Sequence, residues 1–446
     1  QPLLADRLVA TLEQIMEQRR RTASKFFPVY KPAMNFDFRN GSLPPEITFS
    51  RASTATFVGS NGLIQTAAAN VPRFNYNPAL SAIPRLLVEA EARTNLVLRS
   101  VDITNASWTK TRSSTPGTAT TAPDGTATGY KLVEDATAAN SHDVRQGSLV
   151  NGVLATYTQS IFAKKDTREW IYLELQNAGA TSNRARAWFN LNTGVVGTGN
   201  TAGSGITYVS HSIVAYPNGW FRCVLTATAE AAVANLQFYT SLTTADNVNY
   251  YNGDGVSGLY LWGAQLEVGA IPSSYIPTTT VAVTRAADVA TVTGSNFGKF
   301  FNQWTGTFAV KGVTPVGLSS VSQAAIEADF GDTNNRHVLF RSTSGLAQAQ
   351  TGTNAVVQAD ITLGAWANTT IARQAYSYAP GNFNAAFAGV SGTPDNEGTP
   401  PQCSQLILGN TAAANRPWMG EYEWIRYWQQ DADPKMVQYL TSNIYD

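Results

Sequence analysis

The chain is poor in the residues that build disulfides, metal sites and charged binding surfaces. Its 446 residues include two cysteines, three histidines and 14% charged side chains, against roughly 25% charged residues in an average soluble domain. Cys223 and Cys403 lie far apart and the histidines stand in unrelated contexts, so we expect no disulfide framework, no metal site and no cofactor. The 31 basic and 31 acidic side chains balance, which predicts no general attraction to nucleic acid.

Long apolar runs are also missing. No stretch of about 18 apolar residues occurs, and the first thirty residues lack the pattern of a secretory signal. The sequence therefore predicts a soluble chain with no membrane insertion. The first residue is Gln1 rather than methionine, which leaves processing and an upstream stretch as open alternatives.

One strong amphipathic pattern opens the chain. The stripe, with spacings of three and four, is formed by Ala5, Leu8, Leu12, Ile15 and Arg19. It predicts a helix that ends before Pro28. Two interpretations stay open: a helix packed on its own chain, or a short oligomerisation and anchoring helix with Leu8, Leu12 and Ile15 at its seam.

Beyond Pro32 the texture changes to short alternating or apolar runs separated by Gly, Asn, Asp, Ser and Thr. This texture is typical of an all-β fold. The positions of these turn-forming residues predict four segments: an N-terminal helix at 1–32, a small β-rich module at 33–95, and two larger β domains at 96–285 and 286–446. No repeat of about 20 to 50 residues is visible, which argues against a propeller or a solenoid.

The segment 33–95 contains two distinctive stretches. Residues 49–78 read FSRASTATFVGSNGLIQTAAANVPRFNYNP, and residues 86–98 read LLVEAEARTNLVL. This pattern resembles the N-terminal module of bacteriophage fibre and spike proteins. The resemblance implies an attachment module that joins the chain to a virus particle.

The two larger segments carry resemblances of their own. The stretches YTQSIFAKK, NGWFRCVLTAT and YLWGAQLEVG of residues 96–285 are similar to jelly-roll carbohydrate-binding modules. The stretches GTFAV, LILGN and GEYEWIRYW of residues 286–446, followed by DPKMVQYLTSN, are similar to concanavalin A-like sandwiches of the laminin-G type. Together these resemblances imply a short helix, a small β-rich anchoring module and two β-sandwiches.

The same resemblances imply a function. We expect a structural protein of the virion surface, a tail or head fibre or spike, that attaches to the host by binding its surface polysaccharide. A homotrimer is expected, together with contacts to other virion proteins of the tail, portal or capsid. No enzymatic activity is expected, although a polysaccharide depolymerase and a purely structural collar or decoration protein remain the alternatives.

Strand alternation supplies an independent prediction of the binding residues. In EWIYLELQ, RARAWFNL, WFRCVL and LYLW the aliphatic positions alternate with aromatic and polar ones, so one face is expected to fill a core and the other to lie outside it. If these strands share one sheet, its outer face carries the candidate carbohydrate-binding residues Trp170, Tyr172, Glu174, Arg186, Trp188, Asn190, Trp220, Arg222, Tyr260 and Trp262.

This composition suits a saccharide, because the apolar face of a sugar ring packs on aromatic rings while its hydroxyl groups need polar partners. The alternative interpretation is that another subunit or a long loop covers the same face, since aromatic residues and arginine are also enriched at protein interfaces. A groove between subunits would satisfy both.

Catalytic signals are weak. The closest acid pairs are Glu327 with Asp329 and Glu421 with Glu423, each two residues apart on a predicted strand, and neither has the spacing expected of glucanases with a concanavalin A-like fold. The stretch NGDG at 252–255 fits either a calcium loop or a glycine-containing turn. We therefore predict no catalytic residues.

Overall fold

The computed structural model describes residues 31–76, 83–150, 154–233, 235–314 and 320–443. Within these ranges the protein is nearly all β, which confirms the predicted fold class. No helix in the described part of the chain has both the length and the apolar character needed to cross a membrane. The predicted N-terminal helix, with Leu8, Leu12 and Ile15, lies outside the described residues.

The strands are numbered along the chain. The first group is β1 Met34–Asp37, β2 Thr48–Ser50, β3 Ala55–Val58, β4 Ile64–Ala67, β5 Arg73–Asn75, β6 Arg85–Glu89 and β7 Arg93–Asn95. The second is β8 Thr109–Thr111, β9 Ser113–Ser114, β10 Ala119–Thr120, β11 Gly129–Glu134, β12 His142–Val150, β13 Ala155–Lys165, β14 Trp170–Asn177, β15 Arg184–Asn190, β16 Val195–Ala202, β17 Ile206–Tyr216, β18 Trp220–Ala229, β19 Leu236–Thr243, β20 Gly258–Val268 and β21 Val283–Arg285.

The remaining elements follow residue 288. The strands are β22 Val289–Thr293, β23 Gly306–Val313, β24 Gln323–Asp329, β25 Arg336–Arg341, β26 Leu346–Thr353, β27 Val356–Ala365, β28 Ile371–Ala379, β29 Asn382–Phe387, β30 Val390–Ser391, β31 Gln405–Leu408 and β32 Met419–Trp428. The helices are α1 Gly294–Gly298 and α2 Pro434–Thr441. A 3-10 turn occupies Pro217–Gly219.

The chain divides into two units at positions that differ in part from the predicted boundaries. Among the described residues, the central unit contains Phe49–Asp288, and the C-terminal unit contains residues 31–48 together with Val289–Thr314 and residues 321–443. The second division lies close to the predicted boundary at 285, but the predicted boundary at 95 has no counterpart. The β-rich module at 33–95 is therefore not a separate unit, because its strands pair with elements far along the sequence.

Two large sheets form the sandwich of the central unit. One has the order β10-β11-β20-β13-β18-β17, with β9 also pairing with β11, and the other has the order β16-β15-β14-β19-β12-β8. The large core cluster takes apolar residues from both sheets, among them Leu173 of β14, Phe189 of β15, Leu225 of β18 and Leu261 of β20. The central unit is thus a β-sandwich whose two sheets share one apolar interior.

The alternation predicted for these strands is confirmed at the core. The predicted inward residues that belong to the core cluster are Ile171, Leu173, Leu175, Ala185, Ala187, Phe189, Leu191, Cys223, Leu225, Leu259 and Leu261. Phe221, also predicted to point inward, is partly buried and packs against this cluster. Successive side chains of a strand point to opposite faces, so the intervening residues lie on what we call the outer face of each sheet, the face turned away from this core.

A buried charge network links the RASTATF stretch to the end of the central unit. We call it the arginine clasp and define it as Arg51, Arg73, Glu89, Arg285 and Asp288, all buried. Arg73 donates to Glu89 Oε2 at 2.7 Å and to Asp288 Oδ2 at 2.6 Å. Arg51 donates to Asp288 Oδ1 at 3.1 Å, and Arg285 Nε lies 3.2 Å from Glu89 Oε2.

Residues near position 50 and residues near position 280 therefore form one assembly. The Thr56 hydroxyl donates to the Tyr275 carbonyl at 2.5 Å, and β7 pairs antiparallel with β21. A guanidinium without its carboxylate partner is expensive to bury, so these segments must come together for the unit to fold. This requirement explains why the predicted boundary at 95 is absent.

The C-terminal unit is a second sandwich. One sheet contains β30-β29-β28-β23-β32, with β1 pairing on β32, and the other contains β22-β31-β24-β25-β26-β27. Asp433 caps α2 by accepting from the Met436 backbone N–H at 2.8 Å, and α2 buries Val437 and Leu440 in a cluster that includes Trp424. The interior aromatics also include Trp366, Tyr376, Tyr378, Trp418 and Trp428, whereas Trp304 is 61% exposed.

Candidate functional site

The ten predicted binding residues do not lie on one sheet. The first six lie on β14 and β15 of one sheet, and the last four lie on β18 and β20 of the other. The predicted single aromatic face is therefore wrong. Alternation determines which face of a strand a side chain occupies, but it carries no information about which strands pair. In a jelly roll, strands that are close in sequence often belong to opposite sheets.

The outer face of the sheet that contains β18 and β20 is closed by packing. Trp220 and Trp262 are 0% and 1% exposed, and they pack with Phe162, Tyr275 and Ile64. The Trp220 indole donates to the Thr121 carbonyl at 2.9 Å. These rings are held inside the central unit and have no free face to offer a saccharide.

The two other predicted residues on this sheet have structural surroundings as well. The Arg222 guanidinium donates to the Ser273 carbonyl at 2.8 Å and lies over the Phe162 ring at 5.5 Å from its centroid. Tyr260 is half-buried beside the same aromatic cluster. This sheet therefore presents no open aromatic surface formed by the predicted tryptophans.

The outer face of the sheet that contains β14 and β15 brings together a charged and aromatic group. Across the strands, Glu174 lies between Tyr239 and Arg186, and Tyr172 lies between Ser241 and Trp188. The name tyrosine–arginine face is used below for the side chains of Asp143, Arg145, Tyr172, Glu174, Arg184, Arg186, Trp188 and Tyr239. Directly opposite residues of an antiparallel pair share a face, so these side chains are neighbours.

Three aromatic rings form the floor of this face. The Tyr172 ring lies 5.3 Å from Trp188 and 6.0 Å from Tyr239, centroid to centroid. Trp188 is 0% exposed, and its indole donates to the Val248 carbonyl at 3.1 Å. The segment 244–250 therefore covers part of the predicted stacking surface, and Trp188 supports the face rather than contacting solvent.

Glu174 is the buried acid of the face. Its Oε1 accepts a hydrogen bond from Gln176 Nε2 at 2.6 Å, and its Oε2 lies 3.2 Å from Arg186 Nε and 3.9 Å from Arg184 Nε. Burial raises the pKa of Glu174 to about 7, against the opposing influence of the two guanidinium groups. Desolvation thus outweighs charge pairing at this carboxyl group.

A second buried acid, Asp143, lies one row away. Burial also raises its pKa. The nearest guanidinium nitrogens are Arg145 Nη1 at 3.7 Å from Oδ1 and Arg112 Nη2 at 3.8 Å from Oδ2, beyond hydrogen-bond distance. Its Oδ1 has no hydrogen-bond partner.

The accessible layer of the face consists of side chains at its margin. Trp170 and Asn190 are half-buried, and Tyr250 is 58% exposed. The side chains of Arg184 and Arg145 are 24% and 34% exposed. The face therefore offers partly open rings beside guanidinium groups, above a buried layer of acids and tyrosines.

Gly197 gives the Trp170 ring room to lie against β16. A Cβ at this glycine would lie 3.0 Å from Trp170 Cζ3, 2.3 Å from Asp246 Oδ1 and 2.8 Å from Asp246 Cγ. Asp246 in turn accepts from the Thr198 backbone N–H at 2.7 Å. This close packing fixes one flank of the margin.

Sequence reasoning missed several members of this face. Tyr239 alternates with Phe238 and Leu242 of the core in LQFYTSLT, a pattern that could have been found. Asp143 and Arg145 lie on β12, whose pairing with β19 no local pattern reveals.

The acid pairs considered for catalysis have structural partners. Glu423 Oε2 lies 2.7 Å from Lys311 Nζ, and Asp329 accepts from the Gly331 N–H and from Gln405. Glu327 accepts from the Ala412 N–H at 2.7 Å, and burial raises its pKa to about 7.

The NGDG stretch forms a turn. Asp254 accepts hydrogen bonds from the backbone N–H groups of Val256 and Ser257 and from the Ser257 hydroxyl. No cluster of three or more metal-ligating side chains occurs among the residues that the structure describes.

Comparisons with known proteins add distant similarities only. No protein-family profile and no curated protein sequence matches the chain. A Ruminococcus gnavus IT-sialidase CBM40 bound to α2,3-sialyllactose is 12% identical, with 31% of this chain and 83% of that one covered and a TM-score of 0.28.

Two other solved structures are similarly remote. The NanB sialidase of Streptococcus pneumoniae is 12% identical over 33% of this chain and 26% of its own, with a TM-score of 0.29. Mouse laminin α1 domains LG4-5 are 9% identical over 67% and 88%, with a TM-score of 0.24. Similarities at this level carry no argument about the ligand of this chain.

Proposed function

We propose that the chain binds a polysaccharide through the tyrosine–arginine face. The observation that carries this proposal is a set of aromatic and polar groups on one side of this sheet. Trp170 of β14 and Tyr250 of the segment 244–250 are partly open rings, and they accompany the Arg184 guanidinium and the buried Glu174 carboxyl group. Sugar rings pack on aromatic side chains, and their hydroxyl groups need several donors and acceptors in fixed positions.

The biological setting that we propose is a phage fibre or spike on the virion surface, and its support is the resemblance of the RASTATF and LLVEAEARTN stretches to such proteins. A homotrimer attached to tail, portal or capsid proteins would present three faces to the host surface, and avidity would then compensate for weak single sites. Light scattering tests the oligomeric state, and a trimer has three times the 47.9 kDa mass of the chain.

The binding test uses accessible aromatic residues. Trp170→Ala and Tyr250→Ala should each weaken binding on a glycan array roughly 3- to 10-fold, because each removes an aromatic contact with the sugar ring. The control is Trp304→Ala, which removes an exposed tryptophan of the C-terminal unit and should leave binding unchanged. Unchanged binding by both face variants would exclude the tyrosine–arginine face as the site.

Trp188 is unsuitable for the same test. Its ring is fully buried, so Trp188→Ala should lower the free energy of unfolding by about 3–5 kcal/mol. Lost binding by this variant would report unfolding rather than a lost contact with the ligand.

A depolymerase is the second candidate function, favoured by one observation. A carboxyl group whose pKa lies near 7, as that of Glu174 does, suits a general acid. This activity predicts shorter oligosaccharides after incubation with host capsule, and loss of that product in Glu174→Gln. If the protein binds the polymer but leaves its length unchanged, binding without cleavage remains the function. If the protein neither shortens nor binds the polymer, the structural collar is favoured.

A further inference from the structure

The arginines of the tyrosine–arginine face have more donors than the face supplies acceptors. Each guanidinium group carries five N–H donors. Arg184 Nε and Arg186 Nε are buried and form no hydrogen bond, and the closest carboxylate oxygen, Glu174 Oε2, lies 3.9 Å and 3.2 Å from them. Arg145 comes no closer than 3.7 Å to Asp143.

Another arginine of the same unit shows what a matched pair looks like. Arg168 forms a two-pronged contact with Glu134, with Nε at 2.8 Å and Nη2 at 2.5 Å from the two carboxylate oxygens. Such planar pairs are the geometry that guanidinium and carboxylate groups prefer. Neither Arg184 nor Arg186 forms one, although both lie beside Glu174.

The charge balance of the face points the same way. Its three arginines outnumber Glu174 and Asp143, and burial raises the pKa of both acids, which favours their neutral forms. Arg112 adds a fourth guanidinium, which donates to the Ser141 carbonyl at 2.6 Å. Burial also raises the pKa of Tyr172 and Tyr239, so these rings stay neutral, and Asp246 is engaged by Thr198.

We infer that the polysaccharide bound by the tyrosine–arginine face is acidic, and that a sugar carboxylate forms with Arg184 and Arg186 the two-pronged contact that Glu174 does not form with them. This inference rests on the proposed glycan binding and specifies its ligand. The carboxylate accepts hydrogen bonds from the guanidinium groups, while the sugar ring packs at the margin formed by Trp170 and Tyr250.

The test compares ligands that differ in one group. The full chain is applied to an array of uronate- and sialate-containing oligosaccharides, each printed beside its carboxyl-reduced neutral counterpart. The acidic member of a pair should bind roughly 10-fold more tightly or better, because a charge-assisted hydrogen bond is lost on reduction. Added salt should reduce this difference, since the Arg184 and Arg145 side chains are partly exposed.

A charge-removing variant assigns the preference to the face. Arg184→Gln should abolish most of the discrimination between the paired ligands. Arg39→Gln removes the same charge from a partly exposed arginine of the C-terminal unit and should retain the discrimination. Thermal unfolding of both variants reports whether they remain folded, and Arg145→Gln provides a second replacement within the face.

The outcomes separate the inference from the function it rests on. Equal binding of acidic and neutral members, or discrimination retained in both Arg184→Gln and Arg145→Gln, would overturn the acidic ligand and leave glycan binding intact. Binding to no oligosaccharide of either kind would overturn the proposed function itself.

Discussion

The arginine clasp and the tyrosine–arginine face are both clusters of arginine and carboxylate in the central unit, but they differ in how well these groups are matched. In the clasp, Glu89 accepts from Arg73 at 2.7 Å and from the Ser274 N–H at 2.6 Å. In the face, Glu174 has one short hydrogen bond, from Gln176. The two pKa shifts reflect this difference, because the pKa of Glu89 is lowered and that of Glu174 is raised.

The number of partners of a carboxylate and the direction of its pKa shift separate a structural cluster from a candidate binding cluster of the same composition. Saturated carboxylates with lowered pKa hold a fold together, because their charged form is stabilised by partners that are already in place. The arginines do not make this distinction alone, because Arg73 Nε and Arg285 Nε of the clasp are also buried without a hydrogen bond. A desolvated carboxyl group that forms no two-pronged pair with the arginines beside it is not optimised for stability. Such a cluster is suited to a ligand that supplies the missing acceptors.

Removing a clasp arginine should have the largest effect. Arg73→Met leaves Glu89 and Asp288 buried without their shared partner, and we expect the free energy of unfolding to fall by about 3–5 kcal/mol. Urea denaturation followed by tryptophan fluorescence measures this change. Arg39→Met is the control, because Arg39 and Asp37 are each 31% exposed, and it should cost below about 1 kcal/mol. Equal costs would mean that the clasp contributes no more than a surface pair.

The pH dependence of stability should have opposite signs in the two clusters. Guanidinium partners hold the pKa of Glu89 below its ordinary 4.5 despite burial. Its contribution to the free energy of unfolding is therefore fully present above about pH 4.5 and is lost as the pH falls below that value. The pKa of Glu174 is raised to about 7. The folded state therefore binds the proton more tightly than the unfolded state, and this contribution is lost as the pH rises from about 4.5 to about 7.

Glutamine variants separate these two contributions. In the unchanged chain, Glu174 should lower the free energy of unfolding by up to about 3 kcal/mol between pH 5 and pH 8, and Glu174→Gln should remove this decline. Glu89→Gln should instead reduce the loss of stability that occurs as the pH falls below about 4.5. Glu169→Gln is the control, since Glu169 is 48% exposed and its replacement should leave the free energy of unfolding almost unchanged. The pKa of Glu327 is also raised to about 7, so part of the decline in the free energy of unfolding between pH 5 and pH 8 should remain in Glu174→Gln. A decline unchanged by Glu174→Gln would contradict the desolvated state of this carboxyl group.

The sequence was sufficient for local features and insufficient for long-range ones. The inward positions of β14, such as Leu173, follow from period-two alternation and lie in the core as expected. The single aromatic sheet was wrong because Trp188 and Trp262 belong to strands whose pairing depends on the whole topology. The cover over Trp262 comes from Tyr275 and Ile64, and no window of sequence around the tryptophan contains them both.

The smallest predicted effect concerns ligand binding and pH. If the face binds an acidic sugar, protonation of Glu174 removes a negative charge located 3.2 Å from Arg186 Nε and increases the attraction for the sugar carboxylate. Affinity should therefore rise roughly 3- to 10-fold from pH 8 to pH 6, a range in which sugar carboxylates remain ionised. Titration of the full chain with an acidic oligosaccharide identified on the array measures this change. The Glu174→Gln variant should bind with the same affinity at both pH values. Tighter binding at pH 8 than at pH 6 in the unchanged chain would mean that Glu174 assists ligand binding as an anion. In that case the excess of arginine over ionised carboxylate would not explain recognition.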